Sequence, residues 1–153
     1  MKTRGKVKDV LFWAVLAAAV LFAAWMLWPR PLAAEFDAGR QFAASVTTVG
    51  VQNGTSWMDS SEQYDLEGSA ALQEVLEGYS YHLCWDSLLG ENVIDGKGGS
   101  DAWLYINNNA SEQLISNGTS RIFLNHRVVK VGYLGNRRGA ALNQELLDAL
   151  RGE

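Results

Sequence analysis

The amino-acid sequence predicts an α+β fold in which one N-terminal transmembrane helix precedes a small two-layer domain. Three observations predict it: a long uncharged apolar stretch near the N-terminus, short segments with alternating apolar residues, and two segments with helical apolar spacing. We expect an antiparallel sheet of four to five strands covered by two helices, because short turns between the later strands enforce antiparallel pairing. The 153 residues leave room for one such domain.

The apolar stretch runs from Val10 to Trp28 and contains no charged or strongly polar side chain. A helix of this length spans about 28 Å, which matches the hydrocarbon core of a bilayer. Pro29 then ends the helix. Basic side chains precede the stretch, so residues 1–9 are expected to be a cytoplasmic tail and the C-terminal domain to be extracellular at the cell membrane. The basic residues are Lys2, Arg4, Lys6 and Lys8.

A cleaved signal peptide is the alternative interpretation of the same segment. Signal peptides share the basic start, and Leu32-Ala33-Ala34 is an imperfect cleavage site. Their apolar region usually has only about 7–15 residues, which is shorter than Val10–Trp28. The length therefore favours a retained anchor.

After the anchor, residues 29–41 are predicted to be a tether and residues 42–153 to form the extracytoplasmic domain. Phe42–Val51 alternates loosely and predicts a strand that ends at the Asn53-Gly54 turn. Ser56–Glu67 is polar and acidic, which predicts a loop.

The middle of the domain is predicted to contain a helix over Gly68–Tyr79 and a strand over Tyr79–Trp85. The helix places apolar residues at i, i+3, i+4 and i+7, and the strand alternates in steps of two. Gly90–Asp101 is glycine-rich and predicts a loop, and Trp103–Ile106 predicts a short strand before the Asn107–Asn109 turn.

The C-terminal third predicts a hairpin, one more strand and a closing helix. Leu114–Ser116 and Arg121–Leu124 flank an Asn-Gly turn, and Val128–Tyr133 follows the Asn125-His126 turn. An amphipathic helix closes the chain with Leu142, Leu146, Ala149 and Leu150 on one face.

The charge balance excludes one class of partner. From Pro29 onward the chain has 9 basic and 16 acidic side chains, a net charge of −7. Affinity for nucleic acid comes mostly from Lys and Arg, so we expect no nucleic-acid binding. The single cysteine, Cys84, can form no internal disulfide.

His82 and Cys84 form the sharpest chemical pattern, because residues at i and i+2 of a strand point to the same side. With His126 they would supply three zinc ligands and leave a fourth position for water, or a thiol nucleophile with a base. The spacing is not a known zinc signature, however. We therefore expect no catalytic residues, no metal and no cofactor, and keep a small metal- or Cys-dependent hydrolase as the alternative.

Aromatic residues are numerous for one small domain and can stack on sugar rings or hold a peptide. Trp57 lies in the predicted polar loop and is the first candidate for ligand contact. Tyr64 and Trp103 complete the predicted ligand-binding set.

The chain also resembles a group of uncharacterised bacterial domains. Its matching parts are Lys2–Trp28, Val46–Thr55, Leu72–Tyr79 and Arg121–Leu150, which give a basic start, a hydrophobic helix, a strand ending near an Asn-Gly turn, a short helix, and a strand meander closed by a Leu-rich helix. This layout is similar to the small membrane-anchored extracytoplasmic domains of Gram-positive (Firmicutes-type) bacteria. No activity is assigned to them, so the resemblance implies no catalytic residues.

We therefore expect a membrane-tethered extracytoplasmic binding or interaction module. Its partners would be the bilayer, through Val10–Trp28, and a wall polymer, a peptide or another membrane protein. A structural or assembly role is a further alternative, in which the small residues Ala17-Ala18-Ala19 pair with another helix.

Overall fold

A computed structural model of the chain describes residues 3–52, 55–90, 100–108 and 112–152, with the side chains of 3–7, 49–52, 55–60 and 100–101 excepted. The elements are α1 Thr3–Leu27, β1 Arg30–Pro31, a 3-10 turn at Leu32–Ala34, β2 Phe42–Gln52, β3 Thr55–Leu66, α2 Ala70–Glu77, β4 Ser80–His82, α3 Trp85–Leu89, β5 Ser100–Asn108, β6 Gln113–Ser116, β7 Arg121–Leu124, β8 Arg127–Val131 and α4 Arg137–Arg151.

The strands form one antiparallel sheet in the order β1-β4-β8-β7-β6-β5-β2-β3. The α+β class and the apolar N-terminal helix are thus confirmed. The predicted strand number of four to five is wrong, because the sheet contains eight strands.

The predicted loop at Ser56–Glu67 accounts for the largest difference, because these residues belong to strand β3. β3 is the outer strand of the sheet and pairs only with β2 among the described strands. An edge strand with one solvated face accepts polar residues at many positions, so its sequence lacks a strand-like apolar pattern. β1 is also an edge strand, and a proline fits there because its missing N–H removes no ladder bond.

The helices α2 and α4 cover one face of the sheet, and the core lies between the two layers. Alternate residues of β2, such as Phe42, Ala44 and Val46, point into this core and are almost fully buried. The predicted face of α4 is confirmed at Leu142 and Leu146, which have no exposed surface. The opposite face of the sheet is more open.

Residues 29–41 pack into the domain, although the sequence suggested a tether. Leu32, Phe36 and Ala38 are at most 1% exposed. The Asp37 N–H donates to Glu112 and the Ala38 N–H donates to Gln73, both at 3.0 Å. The chain that follows α1 is therefore an ordered layer of the domain.

The strand predicted over Tyr79–Trp85 is shorter in the structure. β4 ends at His82, and Trp85 begins the one-turn helix α3 and is 67% exposed, so it does not share the buried face of Tyr81. The Asn53-Gly54 turn and residues 91–99 of the predicted glycine-rich loop lie outside the described residues.

Helix α1 contains one segment, Lys8–Leu27, that is long and apolar enough to cross a membrane, with a mean hydropathy of 2.5. Its side chains are almost entirely exposed within the chain, so they are not the core of the domain. A membrane anchor and a signal sequence both fit this finding.

Candidate functional site at the junction of helix and domain

The C-terminal end of α1 is hydrogen-bonded to the domain. The Leu83 N–H donates to the Met26 carbonyl and the Tyr133 hydroxyl donates to the Leu27 carbonyl, both at 3.0 Å. Arg30 donates to the carbonyl of Trp25 at 3.2 Å. The last carbonyl groups of a helix have no partner within the helix. Here the domain supplies their partners, which fixes the direction in which the helix leaves it.

His82 lies beside this junction, where β4 meets the loop after β8. Its ring stacks on Tyr133 with centroids 4.7 Å apart and planes 5° from parallel. Nδ1 lies 3.0 Å from the Leu83 carbonyl oxygen, and Nε2 lies 3.1 Å from that of Gly132. Both nitrogens thus face backbone acceptors. A neutral imidazole can donate to one of them and only the imidazolium can donate to both.

A pocket of about 630 Å³ opens at the same place. Its volume lies within the range of about 300–1,000 Å³ that is usual for small-ligand sites. The wall combines aromatic residues, apolar residues and two arginines. It is formed by Pro29, Ser80, Tyr81, His82, Gly132, Tyr133, Leu134, Arg137, Arg138 and Ala141.

The two arginines of the pocket differ in how they are held. Arg138 lies over the Tyr79 ring, 4.6 Å from its centroid, and donates to the Gly78 carbonyl at 3.3 Å. Arg137 is exposed and has no hydrogen bond or ion pair with any residue that the structure describes. Its charge is therefore available to an anion in the pocket.

Tyr81 forms part of the pocket wall and stays protonated across the physiological range. Burial raises its pKa to about 12, and the hydrogen bond that its hydroxyl donates to Glu35, at 2.6 Å, acts in the same direction. Arg127 also donates to Glu35, at 3.3 Å. These contacts hold the phenol ring in place.

The structure does not bring His82, Cys84 and His126 together. His82 pairs with Lys130 of β8, and His126 precedes that strand by one residue. His126 lies four residue positions before Lys130, which corresponds to roughly 13 Å of extended chain. Among the described residues, no group of three or more His, Cys, Asp or Glu side chains can hold a metal ion.

Cys84 has neighbours of its own under α3. Its Sγ lies 3.4 Å from Ser87 Oγ and 3.8 Å from Asp86 Oδ2. Both ring nitrogens of His82 face carbonyl oxygens, so this imidazole is not positioned as a base for the thiol. The geometry gives no support to the hydrolase alternative.

The predicted ligand-binding residues Tyr64 and Trp103 lie on opposite faces of the sheet. Tyr64 pairs with the buried Ala44 of β2, whereas Trp103 pairs with Thr47. Ala44 and Thr47 are an odd number of residues apart, so they point to opposite faces of the sheet. Trp57 lies on β3 opposite Gly50, and its side chain lies outside the described part. Tyr64 and Trp103 therefore do not form one site.

Tyr64 belongs to an ionic cluster on the helix-covered face. Its hydroxyl donates to Glu62 at 2.6 Å, and Arg151 of α4 donates to both oxygens of the same carboxylate at 2.7 and 3.1 Å. The hydrogen bonds from Arg151 lower the pKa of Glu62 most, the hydrogen bond from Tyr64 adds to this effect, and the pKa falls to about 2. The cluster joins the edge strand β3 to the last turn of α4.

Trp103 belongs to the open face and stacks on Tyr105, with ring centroids 6.3 Å apart. It also packs against Phe123 and Val128, so only part of its ring is free. A second pocket of about 430 Å³ lies beside Tyr105 and is bordered by Asn107 and Asp65. The open face therefore carries a stacked aromatic pair beside a pocket.

Sequence reasoning missed the arginine pocket because its parts come from distant segments. One signal was present. Arg137 and Arg138 occupy the first turn of α4, which has no acidic residue. Cations are unfavourable at a helix N-terminus, so paired arginines there indicate a reason other than helix stability.

The chain matches no protein-family profile, no curated protein and no solved structure. The fold and the geometry of the junction therefore supply the functional argument.

Proposed function

We propose that the chain is a single-pass membrane-anchored binding module whose pocket at the helix–domain junction takes an anionic ligand. The anchor would be Val10–Trp28, with the N-terminus in the cytoplasm and the domain outside the cell. The pocket of about 630 Å³ with the unpaired Arg137 on its wall carries the proposal.

The wall chemistry supports a ligand with a negative group on an apolar or ring-shaped body. Arg137 and Arg138 offer N–H donors that match a carboxylate or a phosphate. The stacked rings of His82 and Tyr133 offer a flat surface beside them. A phosphate-bearing wall polymer and a peptide with a free C-terminal carboxylate both carry this chemistry.

Binding can be tested with the full chain in lipid nanodiscs by calorimetric titration. The probes are a poly(glycerol phosphate) oligomer and a short peptide with a free carboxylate. We expect one of the two probes to bind. Arg137→Gln should lower the affinity for that probe about tenfold, because a charge-assisted hydrogen bond contributes about 1.5–3 kcal/mol. Arg137→Lys should retain part of the affinity.

Arg40→Gln is the matched control, since it removes one positive charge from an exposed arginine that does not line the pocket. The oligomer and the peptide distinguish a phosphate ligand from a carboxylate ligand. Equal losses in Arg40→Gln and Arg137→Gln, or no binding of either probe, would contradict the proposal.

The open sheet face is a second candidate surface for the same function. Trp103 and Tyr105 stack there beside the pocket of about 430 Å³, an arrangement that suits a sugar ring or an apolar peptide side chain. Burial raises the pKa of Tyr105, so its hydroxyl is a donor at neutral pH.

A further inference from the structure

Among the side chains that the structure describes, exposed large apolar side chains lie on α1 and where α1 meets the domain. The exposed large apolar side chains outside α1 lie in three segments near the C-terminal part of that helix, at residues 28, 85–89 and 133–134. They are Trp28, Trp85, Leu88, Leu89, Tyr133 and Leu134. We call these six residues the interfacial collar. A contiguous exposed apolar patch usually marks a contact surface.

Helix α3 contributes half of the collar and has its polar side toward the domain. Asp86 forms an ion pair with Arg121 at 3.0 Å, and Ser87 donates to the Val128 carbonyl. Trp85 and Leu89 are 67% and 71% exposed. An amphipathic turn on a soluble domain would bury its apolar side. The reverse arrangement indicates an apolar environment outside the domain.

The position of α3 along α1 identifies that environment. The ring of Trp85 lies 6.3 Å from the ring of Phe22, which belongs to the apolar span. Phe22 precedes Trp28 by six residues, or about 9 Å along the helix axis. If α1 spans a bilayer up to Trp28, α3 lies at the depth of about 5–10 Å that interfacial amphipathic segments occupy.

The polar groups around the collar fit the same surface. The Arg30 guanidinium lies 5.7 Å from the centre of the Trp25 ring and donates to the Trp25 carbonyl, so a cation stands at the outer end of the apolar span. Tyr133 is 55% exposed, with its hydroxyl on the Leu27 carbonyl. Trp and Tyr are the residues that accumulate at membrane interfaces.

We infer that the interfacial collar inserts into the outer-leaflet interface of the same bilayer that α1 crosses, so that the domain is seated on the lipid surface. This inference rests on the proposed function in one respect, the retention of α1 as the anchor. It adds that lipid, and no protein partner, covers α3 and Leu134. The arginine pocket would then open beside the lipid headgroups.

The inference can be tested with single-cysteine variants of the full chain in a Cys84→Ser background, labelled with an environment-sensitive fluorophore and reconstituted in phosphatidylcholine–phosphatidylglycerol vesicles. Leu89→Cys and Leu134→Cys report on the collar. Ser61→Cys is the matched control on β3, seven strand spacings or roughly 34 Å across the sheet from β1. Val15→Cys reports on the anchor.

We expect lipid with a shallow nitroxide to quench the labels at positions 89 and 134, and aqueous iodide to leave them bright. The label at position 61 should show the reverse pattern. A label at position 15 should respond to a deep nitroxide. Circular dichroism of each variant confirms that the fold is retained.

Two results would overturn the inference while leaving the anchor intact. Iodide quenching at positions 89 and 134 equal to that at position 61 would place the collar in water. Protection from both quenchers would assign it to a protein contact, such as a second copy of the chain. Loss of deep quenching at position 15 would instead refute the anchor, and with it the proposed function.

Discussion

Glu62 is a residue whose ionisation is strongly changed by its neighbours. Two donors from Arg151 and one from Tyr64 surround the carboxylate. These donors favour the charged form, which lowers its pKa from 4.5 to about 2. A folded-state pKa below the unfolded one means that this cluster stabilises the fold above pH 4.5 and loses that effect as the pH falls toward 2.

Replacing Arg151 tests this assignment. In Arg151→Gln the pKa of Glu62 should rise from about 2 toward 4.5, because the largest cause of the shift is removed. Carboxyl-carbon NMR titration of the full chain in detergent micelles measures it. Arg40→Gln, which breaks the exposed pair with Asp37, is the control and should leave Glu62 unchanged. A Glu62 titration that is the same in both variants would refute the assignment.

At the scale of elements, the packing of α4 depends on one close approach. Gly139 lies where α4 crosses the loop between β6 and β7. A methyl group at this position would overlap the Thr119 carbonyl and come within 2.8 Å of Ser120 Cα. Both neighbours are backbone atoms, so the helix itself would have to move away from the sheet.

Gly139→Ala should therefore destabilise the domain by about 3 kcal/mol, at the upper end of what overpacking usually causes. Urea denaturation in detergent micelles, followed by tryptophan fluorescence, measures the change. Gly152→Ala is the matched control at the end of the same helix, where the added methyl group would lie 3.1 Å from the Asp148 carbonyl oxygen. An unchanged midpoint for Gly139→Ala would show that α4 does not pack here as described.

The elements that could be predicted from the sequence are those with a clear apolar period. β2, α2 and α4 fall in this class, because one face of each is buried against the core. β3 was missed because even its helix-facing positions include Glu62, whose charge is matched by Arg151 in the other layer. A strand stabilised by a distant ion pair gives no local signal.

The junction pocket could not be predicted because its walls meet only in three dimensions. The wall brings together Pro29, residues of β4 and Arg137, and each of these is separated from the next by about 50 residues of sequence. Taken alone, none of these segments has a sequence pattern that indicates a binding site. Trp103 lies on the sheet face opposite helices α2 and α4. Strand alternation in the sequence shows which residues share a face, but it does not show which of the two faces these helices cover.

At the scale of the whole molecule, the described chain continues from helix to domain without a free linker. Carbonyl groups of the last turn of α1 are bonded by Leu83, Tyr133 and Arg30, and the buried Leu32 and Phe36 follow directly. A signal peptide needs an accessible cleavage site just after its apolar region. Here the residues that follow the apolar region, Leu32 and Phe36 among them, are buried in the folded domain.

The most direct test of a retained anchor is intact-mass spectrometry of the native protein, recovered separately from carbonate-washed membranes and from outside the cell. We expect the membrane fraction to contain a chain that includes residues 1–34 together with the domain, and the external fraction to contain none. A released chain that begins at or just after Ala34, with no longer form in the membrane, would contradict the account.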